Sequence, residues 1–417
     1  MSLARLRPRP LHSIYAARLL AGAAFSSVMP FVLLHFTESF KLTAVSAGSI
    51  LSVQELMPVF TGMIAGWLIV RTGSRSLLGA ALALLGLTTW QWMNGDGGLK
   101  ALWASAVVSG IAFSALRVAF SSTVADLVEK EEASHAFAML HAYTNVGMAL
   151  GPLLNSYWVS QKDYRNAFWV PIGLYLLAAL VISLGISSDV GRGGEGPDSS
   201  FDLRRLRLEY GDWGLLFIAA IMLTMFFNGI RSQANIIGLA KYFTDYFHST
   251  RATSMYWTVQ SLAVVFIVPF GGRLVRNWDI QALFVAFVSG MALIAGGFWT
   301  LGFFGPLSLS LAFTSLIVLT VLGECLCVPC YGALLVNFLG KKRTGMAFGM
   351  ASTIGALGMS VGASLAGVLL ERSERIQSLP SYWQWIGPLC VGAFVVAFAL
   401  GYIALYGYQT NRVAQEA

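Results

Sequence analysis

The chain alternates between long apolar runs and short polar connections along nearly its whole length. Each run has about 20 or more predominantly apolar residues, enough for a helix to cross a hydrocarbon core about 30 Å thick. The runs are continuously apolar, whereas the strands of a membrane barrel alternate polar and apolar residues. The pattern therefore predicts twelve transmembrane helices, at residues 12–37, 44–70, 75–94, 99–126, 137–159, 167–187, 213–237, 252–276, 281–303, 308–337, 345–370 and 384–408.

One long polar connection separates the sixth span from the seventh. Residues 188–212 are rich in glycine, serine and charge, and they predict a cytoplasmic linker with a short amphipathic helix at 201–210. The predicted domains are an N-terminal six-helix bundle at 1–187 and a C-terminal six-helix bundle at 213–417. The predicted fold class is an all-α membrane protein.

Composition supports a membrane protein and excludes an ordinary soluble one. Of 417 residues, 56% are hydrophobic and 11% are charged, whereas about a quarter of a soluble domain is charged. The basic N-terminus leads into an apolar run that continues to about Thr37 and contains Arg18. We interpret this run as the first span, because a cleaved signal peptide has a shorter apolar region.

The placement of lysine and arginine predicts the orientation in the membrane. With the N-terminus in the cytoplasm, sixteen of the 27 basic residues are cytoplasmic, eight are external and three lie inside spans. Cytoplasmic loops carry the excess of positive charge in membrane proteins. Both termini are therefore predicted to be cytoplasmic, and the protein is expected to be a multi-pass protein of the cell inner (plasma) membrane.

The two predicted halves contain an internal repeat. When "SVQELMPVFTGMIAGWLIVR" (52–71) is aligned with "TVQSLAVVFIVPFGGRLVRN" (258–277), seven of twenty positions are identical. Both segments occupy the second span of their half. Gln54 then corresponds to Gln260, and Glu55 corresponds to Ser261. Parallel repeats of six spans are the internal symmetry of one large class of secondary transporters.

Two motifs resemble those of the major facilitator superfamily. The loop after the second span, "GWLIVRTGSRS", resembles G-x-L-a-D-R-x-G-R-K, although Val70 replaces the acidic residue that helps to latch the two halves in the family. Span five contains "NVGMALGPLLNS", which resembles the G-x-x-x-G-P motif of drug–proton antiporters. The usual glycines after the proline are absent, and Asn155 and Ser156 lie there instead. The residues that match are Gly66, Leu68, Arg71, Gly73, Arg75, Gly147, Gly151 and Pro152.

The resemblance covers essentially the whole chain and is closest to the twelve-helix drug–proton antiporter branch. It implies two six-helix bundles around a central cavity that opens alternately to each side of the membrane. Ordinary small-residue packing is the alternative interpretation of Gly147 and Gly151, because small residues four apart let two helices approach closely. The family also commonly has an arginine within span four, and Arg117 occupies that place.

Five ionisable residues are candidates for positions deep inside predicted spans, where each costs about 2.5–3.5 kcal/mol if it faces lipid at the membrane centre. Glu55 and Glu324 are the candidates for proton coupling, and a structural ion pair is the alternative. Arg117, Arg231 and Arg18 are candidate substrate contacts, although Arg18 is near the span start and could extend to the cytoplasmic surface. Further substrate-binding candidates are Gln54, Gln260, Asn228, Tyr143, Asn145 and Trp257.

The sequence favours transport over catalysis. We find no nucleotide-binding loop, nucleophile elbow or metal-spaced histidine cluster, so no enzyme, cofactor or metal is predicted. Cys325, Cys327 and Cys330 are interpreted as packing residues. The expected partners are the lipid bilayer, a small-molecule substrate and protons as the coupling ion, with no nucleic acid and a monomeric state.

The first hypothesis is a proton-coupled exporter, or antiporter, of a small anionic or zwitterionic metabolite such as a carboxylate siderophore. Three arginines against two glutamates inside the spans disfavour a dedicated exporter of cations. A broad-specificity multidrug efflux pump and a proton-coupled importer are the alternatives within transport. A receptor that keeps the transporter fold without transport is the alternative from another class.

Overall fold

The structure is a computed structural model that describes residues 10–128, 130–188, 190, 203–305, 308–339 and 344–416. In these ranges, all regular secondary structure is helical. Most of the predicted linker (189 and 191–202), the basic residues at 1–9 and the loop at 340–343 lie outside the described residues.

Fourteen α-helices occur in the described ranges. They are α1 (Pro10–Val28), α2 (Val32–Glu38), α3 (Ala44–Thr72), α4 (Ser74–Asn94), α5 (Gly98–Leu127), α6 (Lys130–Ser160), α7 (Tyr164–Ala167), α8 (Trp169–Gly185), α9 (Leu203–Lys241), α10 (Thr250–Leu274), α11 (Ile280–Thr300), α12 (Leu309–Leu339), α13 (Thr344–Arg375) and α14 (Pro380–Glu416).

Each of the twelve predicted spans coincides with a long helix or with a pair of consecutive helices. Among the described residues, nine helical segments are long and apolar enough to cross a membrane. The segments outside this set are α3, α6 and α10, which coincide with predicted spans two, five and eight. The all-helical membrane fold is thus confirmed, while the count of twelve crossings and the cytoplasmic termini stay predictions.

The first span is interrupted rather than continuous. A 3₁₀ turn at Met29–Phe31 separates α1 from α2, and Pro30 lies in it. Proline has no backbone N–H, so it removes a helical hydrogen bond and frees a carbonyl in the preceding turn. The Asn155 side-chain amide, on α6, donates to the carbonyl oxygens of Ser27 and Ala167, both at 2.9 Å. Asn155 therefore ties the end of α1 and the end of α7 to α6.

Replacing Asn155 by leucine is expected to lower the free energy of unfolding by about 2–4 kcal/mol, because two buried carbonyls lose their donor. Asn145→Leu is the matched control on the same helix. The Asn145 amide donates to His141 O of its own helix, so its loss should change stability by about 0.5 kcal/mol or less. Denaturation of the purified protein in detergent measures both, and equal effects of the two variants would contradict this role of Asn155.

The chain forms two compact units. Unit 1 comprises Met1–Asp198 and Leu239–Val265, and unit 2 comprises Ser199–Gly238 and Phe266–Ala417. Unit 1 thus contains a segment from the predicted second half of the chain. Within unit 1, Ala240 belongs to a buried cluster with Phe31 and Tyr164, and Thr258 Oγ1 donates to Ala149 O at 3.0 Å. The division into six-helix domains at 1–187 and 213–417 stays a prediction.

Glycines allow α1 and α6 to pack backbone to backbone in unit 1. A Cβ atom at Gly147 would collide with the carbonyl oxygen of Leu19, and one at Gly151 would collide with the carbonyl oxygen of Ala23. A Cβ at Gly22, on the facing helix, would lie 2.9 Å from Thr144 O. The two motif glycines are therefore packing positions, as small residues four apart permit.

Unit 2 contains the same kind of contact between α9 and α13. A Cβ at Gly358 would collide with the carbonyl oxygen of Phe226, and one at Gly362 would lie 2.5 Å from Ile230 O. Gly229, on the facing helix, lies equally close to the backbone of α13. In both halves, the first and fifth predicted spans therefore pack against each other through glycines. The internal sequence repeat, by contrast, was found in the second span of each half.

Candidate functional site

Glu55 lies in the interior of unit 1, on α3. This helix begins at Ala44, where the Thr43 side chain accepts a hydrogen bond from Ser46 N at 3.1 Å. Gln54 and Glu55 are 2% and 7% exposed, so neither faces open solvent. The amide group of Gln54 has no hydrogen-bond partner among the described residues. A buried carboxylate next to an unpaired amide is unusual in a packed helix, because buried polar groups normally have partners.

Arg117 of α5 is the charged neighbour of Glu55. A Cβ at Gly110 of α5 would collide with Gln54 O and lie 2.7 Å from Met57 Cβ, so α3 and α5 are in close contact. Arg117 is two turns further along α5, and its charge interacts with that of Glu55. The Arg117 side chain is itself exposed. The structure therefore places an accessible guanidinium beside a buried carboxylate.

Arg18 completes the charged group in unit 1. Its Nε donates to Thr144 Oγ1 at 2.8 Å, and its guanidinium lies 5.3 Å from the ring centroid of Phe120. Its charge also interacts with that of Arg117. The Arg18 side chain thus contacts α5 and α6 inside unit 1. It does not extend to the cytoplasmic surface, which was the alternative raised by its position near the start of the span. Two arginines and one glutamate form what we call the unit 1 charge cluster: Arg18, Glu55 and Arg117.

Thr144→Val is expected to destabilise the protein by about 1–2 kcal/mol, because the Arg18 guanidinium loses an acceptor in a partly buried position. Thr61→Val is the matched control. Both threonine hydroxyls donate to a carbonyl one turn earlier in their own helix, Thr61 to Met57 O and Thr144 to Leu140 O. Among the described residues, Thr144 also accepts a hydrogen bond from Arg18, which Thr61 does not. Thermal unfolding of the purified variants measures the difference. A Thr61 variant as unstable as the Thr144 variant would show that the Arg18 bond contributes little.

Four other candidates from the sequence also lie in unit 1. Tyr143 stacks on Tyr15 with ring centroids 5.1 Å apart, and the Asn145 amide bonds within its own helix. Trp257 and Gln260 lie on the part of α10 that belongs to unit 1. The Trp257 indole N–H has no acceptor among the described residues, and Gln260 is 9% exposed.

Arg231, Asn228 and Glu324 lie in unit 2. Arg231 Nε and Nη2 both donate to Asn228 Oδ1, at 3.1 and 2.7 Å, one turn away on α9. Glu324 of α12 is half-buried, and both its charge and that of Arg231 interact with the Cys327 thiol. These two charges therefore occupy the same region of unit 2. The four cysteines of the chain are free thiols.

The loop motif after α3 has a defined geometry. Gly73 ends α3 with φ 83°, a backbone conformation that favours glycine, and its N–H donates to Ile69 O at 2.8 Å. The Arg71 guanidinium lies 4.0 Å from the ring centroid of Trp67. Arg75 is half-buried, and no atom lies within 4 Å of the place of a Cβ at Gly66. Gly73 is thus the position of this motif where the turn itself requires glycine.

Sequence reasoning missed three side chains that organise these residues: Thr144, Phe120 and Asn155. Thr144 lies between Tyr143 and Asn145 in the polar run "AYTNV". The clustering of polar residues in this run is the sequence feature that could have indicated Thr144 as a polar contact. Phe120 follows Arg117 by nearly one turn and is indistinguishable from its apolar neighbours. Asn155 was seen as a departure from the family motif, and its position in a buried stretch could have indicated a structural bond.

Comparison with known proteins identifies the family. The profile described as Major Facilitator Superfamily matches residues 14–363. Multidrug resistance protein MdtH of Cronobacter sakazakii is 24% identical over 185 residues, which are 43% of this chain and 44% of that protein. The uncharacterized MFS-type transporter YqjV of Bacillus subtilis is 23% identical over 165 residues, 39% of each chain. The matched stretches span less than half the length of these relatives.

Solved structures share the fold at low sequence identity. A POT family transporter in complex with 5-aminolevulinic acid has a TM-score of 0.74 at 14% identity, and the match covers 95% of this chain and 97% of that one. A point mutant of the nucleoside transporter NupG has a TM-score of 0.72 at 12% identity, covering 94% and 99%. Since the superfamily profile matches most of the chain and the fold agrees over its length, the chain belongs to the Major Facilitator Superfamily and is a membrane transporter of that type.

Proposed function

We propose that the chain is a proton-coupled exporter of a small zwitterionic metabolite, with protons as the exchanged ion. The observation that carries the proposal is the unit 1 charge cluster, in which the buried Glu55 carboxylate interacts with the Arg117 guanidinium, and Arg117 in turn interacts with Arg18. We place the protein in the cell inner membrane as a monomer with both termini in the cytoplasm. It requires no cofactor besides protons.

Charge balance in the cluster favours a substrate that carries an anionic group. Arg18 and Arg117 outnumber Glu55, so the three groups together carry a net positive charge when all are ionised. The accessible Arg117 guanidinium is a suitable partner for a carboxylate that enters from the cavity side. A guanidinium also binds a carboxylate through two parallel hydrogen bonds, which gives geometric specificity.

Whether substrate and proton bind together or exclude each other depends on whether the substrate is a simple anion or a zwitterion. A simple anion would compete with the Glu55 carboxylate for Arg117, so it would bind best when Glu55 is protonated, and proton and substrate would travel together. A zwitterion adds an ammonium group that pairs with ionised Glu55 and competes with its proton. Substrate and proton then exclude each other, which is the requirement for antiport.

The test uses everted membrane vesicles with an acid lumen and a pH-sensitive dye. Amino-carboxylate compounds, including zwitterionic dipeptides and carboxylate siderophores that carry an ammonium group, are expected to release protons from the lumen when they are added outside. Purely anionic carboxylates are expected to do so less. Proton release by no zwitterion, or transport that does not depend on the pH gradient, would refute the proposal.

Two other functions have specific support and give different results in the same vesicles. The MdtH relative favours a multidrug exporter, for which lipophilic cationic dyes would release protons and zwitterions would not. The exposed Arg117 guanidinium could equally hold a simple anion; the protein would then be an importer by symport, and labelled anion and protons would leave the lumen together. Glu324, near Arg231 in unit 2, is the second candidate for the proton site in each case.

A further inference from the structure

The second half of α3 has one exposed face. Phe60, Ile64 and Trp67 are 62%, 54% and 52% exposed, and Arg71 is exposed at the end of the same line. Successive members are four, three and four positions apart, so their side chains lie one above another on a single helix face. We call this face the α3 stripe. It is apolar at its first three positions and cationic at the last.

Packing of the opposite face fixes the direction in which the stripe points. Ala65 and Ile69 belong to the buried apolar core of unit 1. A rotation of α3 that buried the stripe would expose these two residues, which would cost the free energy gained from their burial. The stripe is therefore a stable feature of the surface of unit 1.

The stripe is about as long as one leaflet of a membrane. Between Phe60 and Arg71 the helix rises about 16 Å at 1.5 Å per residue. Half of a hydrocarbon core about 30 Å thick is about 15 Å. The orientation predicted from the basic residues places the connection between α3 and α4 on the cytoplasmic side. Arg71 then lies at the level of the lipid head groups, and the apolar positions lie at the depth of the acyl chains.

The cationic end of the stripe is held in place by a ring contact. The Arg71 guanidinium lies 4.0 Å from the ring centroid of Trp67, within the range of a cation–π interaction. Indole rings also favour the head-group level of a membrane. The ring covers a face of the guanidinium, whereas phosphate oxygens bind in pairs to the N–H groups along its edge. The contact therefore orients Arg71 without occupying the edge that recognises phosphate.

The charge around Arg71 favours an anionic head group. The sequence has no aspartate or glutamate between Glu55 and Asp96, and Val70 directly precedes Arg71 where the related motif has an acidic residue. A second arginine, Arg75, lies at the start of α4. Clustered arginines at a membrane surface attract anionic lipids. The ammonium group of a zwitterionic head group would find no carboxylate partner in this part of the sequence.

Open space adjoins the stripe at Gly66. No atom lies within 4 Å of the place of a Cβ at Gly66, which directly precedes the bulky Trp67 side chain. The missing side chain beside an exposed indole makes a shallow groove on the helix surface. An acyl chain is a flexible apolar ligand that fills a groove of this kind. This gives the motif glycine at 66 a role that the turn at Gly73 does not explain.

We propose that the α3 stripe binds one anionic phospholipid, with the phosphate on Arg71 and an acyl chain along Trp67, Ile64 and Phe60. The lipid matches the stripe in its length, in its apolar part and in the sign of its charge. This site is separate from the charge cluster of unit 1, because Glu55 is buried whereas the stripe is exposed. It holds a component of the membrane and not the transported substrate.

Native mass spectrometry of the full chain in detergent tests the proposal without any substrate. It measures how many lipids are bound as phosphatidylglycerol or phosphatidylcholine is added. We expect the first phosphatidylglycerol to bind about tenfold more tightly than the first phosphatidylcholine, because one charge-assisted contact distinguishes them. Glycerol phosphate, which has the phosphate but no acyl chains, should not displace it, because the apolar positions contribute to binding.

Two variants assign the binding to the stripe. Arg71→Gln should weaken binding of the first phosphatidylglycerol by about tenfold and change phosphatidylcholine binding little. Trp67→Leu keeps an apolar side chain but removes the ring that holds the guanidinium, so a smaller loss of about threefold is expected. Both residues are exposed, so neither substitution should prevent folding, and thermal unfolding in detergent without added lipid checks this.

Arg372→Gln is the matched control, since it removes the same charge from a similar pair. The exposed Arg372 guanidinium lies 4.7 Å from the ring centroid of Trp385. Glu371 precedes it and Glu374 follows two positions later, so acidic side chains accompany this arginine. Its loss is expected to leave the affinity for the first phosphatidylglycerol unchanged.

Three results would overturn the proposal. Equal binding of the two lipids by the wild type would mean that the stripe does not select for charge. Equal losses in Arg71→Gln and Arg372→Gln would indicate a general attraction between the basic protein and anionic lipid. Displacement by glycerol phosphate would identify a site for free phosphate instead of a phospholipid. Each of these results is independent of the transported substrate and of the coupling ion.

Discussion

Glu55→Gln is expected to reduce transport driven by the pH gradient strongly while leaving the fold intact. Glutamine has nearly the shape of glutamate but cannot bind and release a proton, and Glu55 is 7% exposed in the interior of unit 1. Coupling between two ligands is typically worth 5–150-fold, so we expect proton release in everted vesicles to fall by about tenfold or more. The assay uses the compound that gives the largest wild-type signal.

Counterflow of labelled substrate without a pH gradient distinguishes a variant that has lost proton coupling from one that is misfolded or absent from the membrane. It should persist in the Glu55 variant at high substrate concentration, with a weaker affinity that no longer depends on pH. Asp212→Asn is the control, because Asp212 is an exposed carboxylate paired with Arg207 at 2.7 Å. Full pH-driven transport by Glu55→Gln would exclude Glu55 as the proton site and transfer that role to Glu324.

The existence of the helices could be predicted because lipid imposes a strong constraint on sequence. A spanning segment must satisfy its backbone internally and remain apolar over about 20 residues. The ends could not be predicted as well. Span seven was expected to end at 237, before Lys241, but α9 continues to Lys241 and into the π-helix. Lys241 and Asp245 lie one helical turn apart and pair with each other, so the charges did not end the helix.

The interruption of the first span was also missed. Residues 12–37 form one apolar run in the sequence, and Pro30 falls inside it without interrupting the apolar pattern. Helix interiors tolerate proline in membrane proteins when neighbouring groups bond to the freed carbonyls. Asn155 supplies that donor from a helix more than 100 residues away, so no local pattern could reveal it.

The charged residues of the candidate site are conspicuous in the sequence, but their structural partners are not. An ionisable residue in an apolar run is conspicuous, and this identified Arg18, Glu55 and Arg117 individually. Glu55 and Arg117 interact because Gly110 lets α5 approach α3. That contact depends on helix packing, which a single sequence does not specify. The same limit applied to Thr144, whose bond to Arg18 links helices far apart in the chain.

Gly151→Ala is expected to destabilise the protein by about 3 kcal/mol, near the upper end for an overpacked interior. The added methyl group would collide with Ala23 O and Ser26 Oγ and lie 2.8 Å from Ser27 N. Two of these atoms belong to the backbone of α1, which cannot move aside as a flexible side chain can. Gly173→Ala is the matched control on α8, because no atom lies within 4 Å of its Cβ position.

The two substitutions should differ in sign, since alanine is favoured over glycine inside a helix by about 1 kcal/mol. Gly173→Ala should therefore raise the unfolding temperature of the purified protein in detergent, and Gly151→Ala should lower it. Gly358→Ala extends the test to unit 2, where its Cβ would collide with Phe226 O between α9 and α13. Equal decreases in unfolding temperature for Gly151→Ala and Gly358→Ala would show that both halves depend on an equivalent close contact between helix backbones. A stable Gly151 variant would instead mean that α1 and α6 separate readily, and the motif glycines would then need a role other than packing.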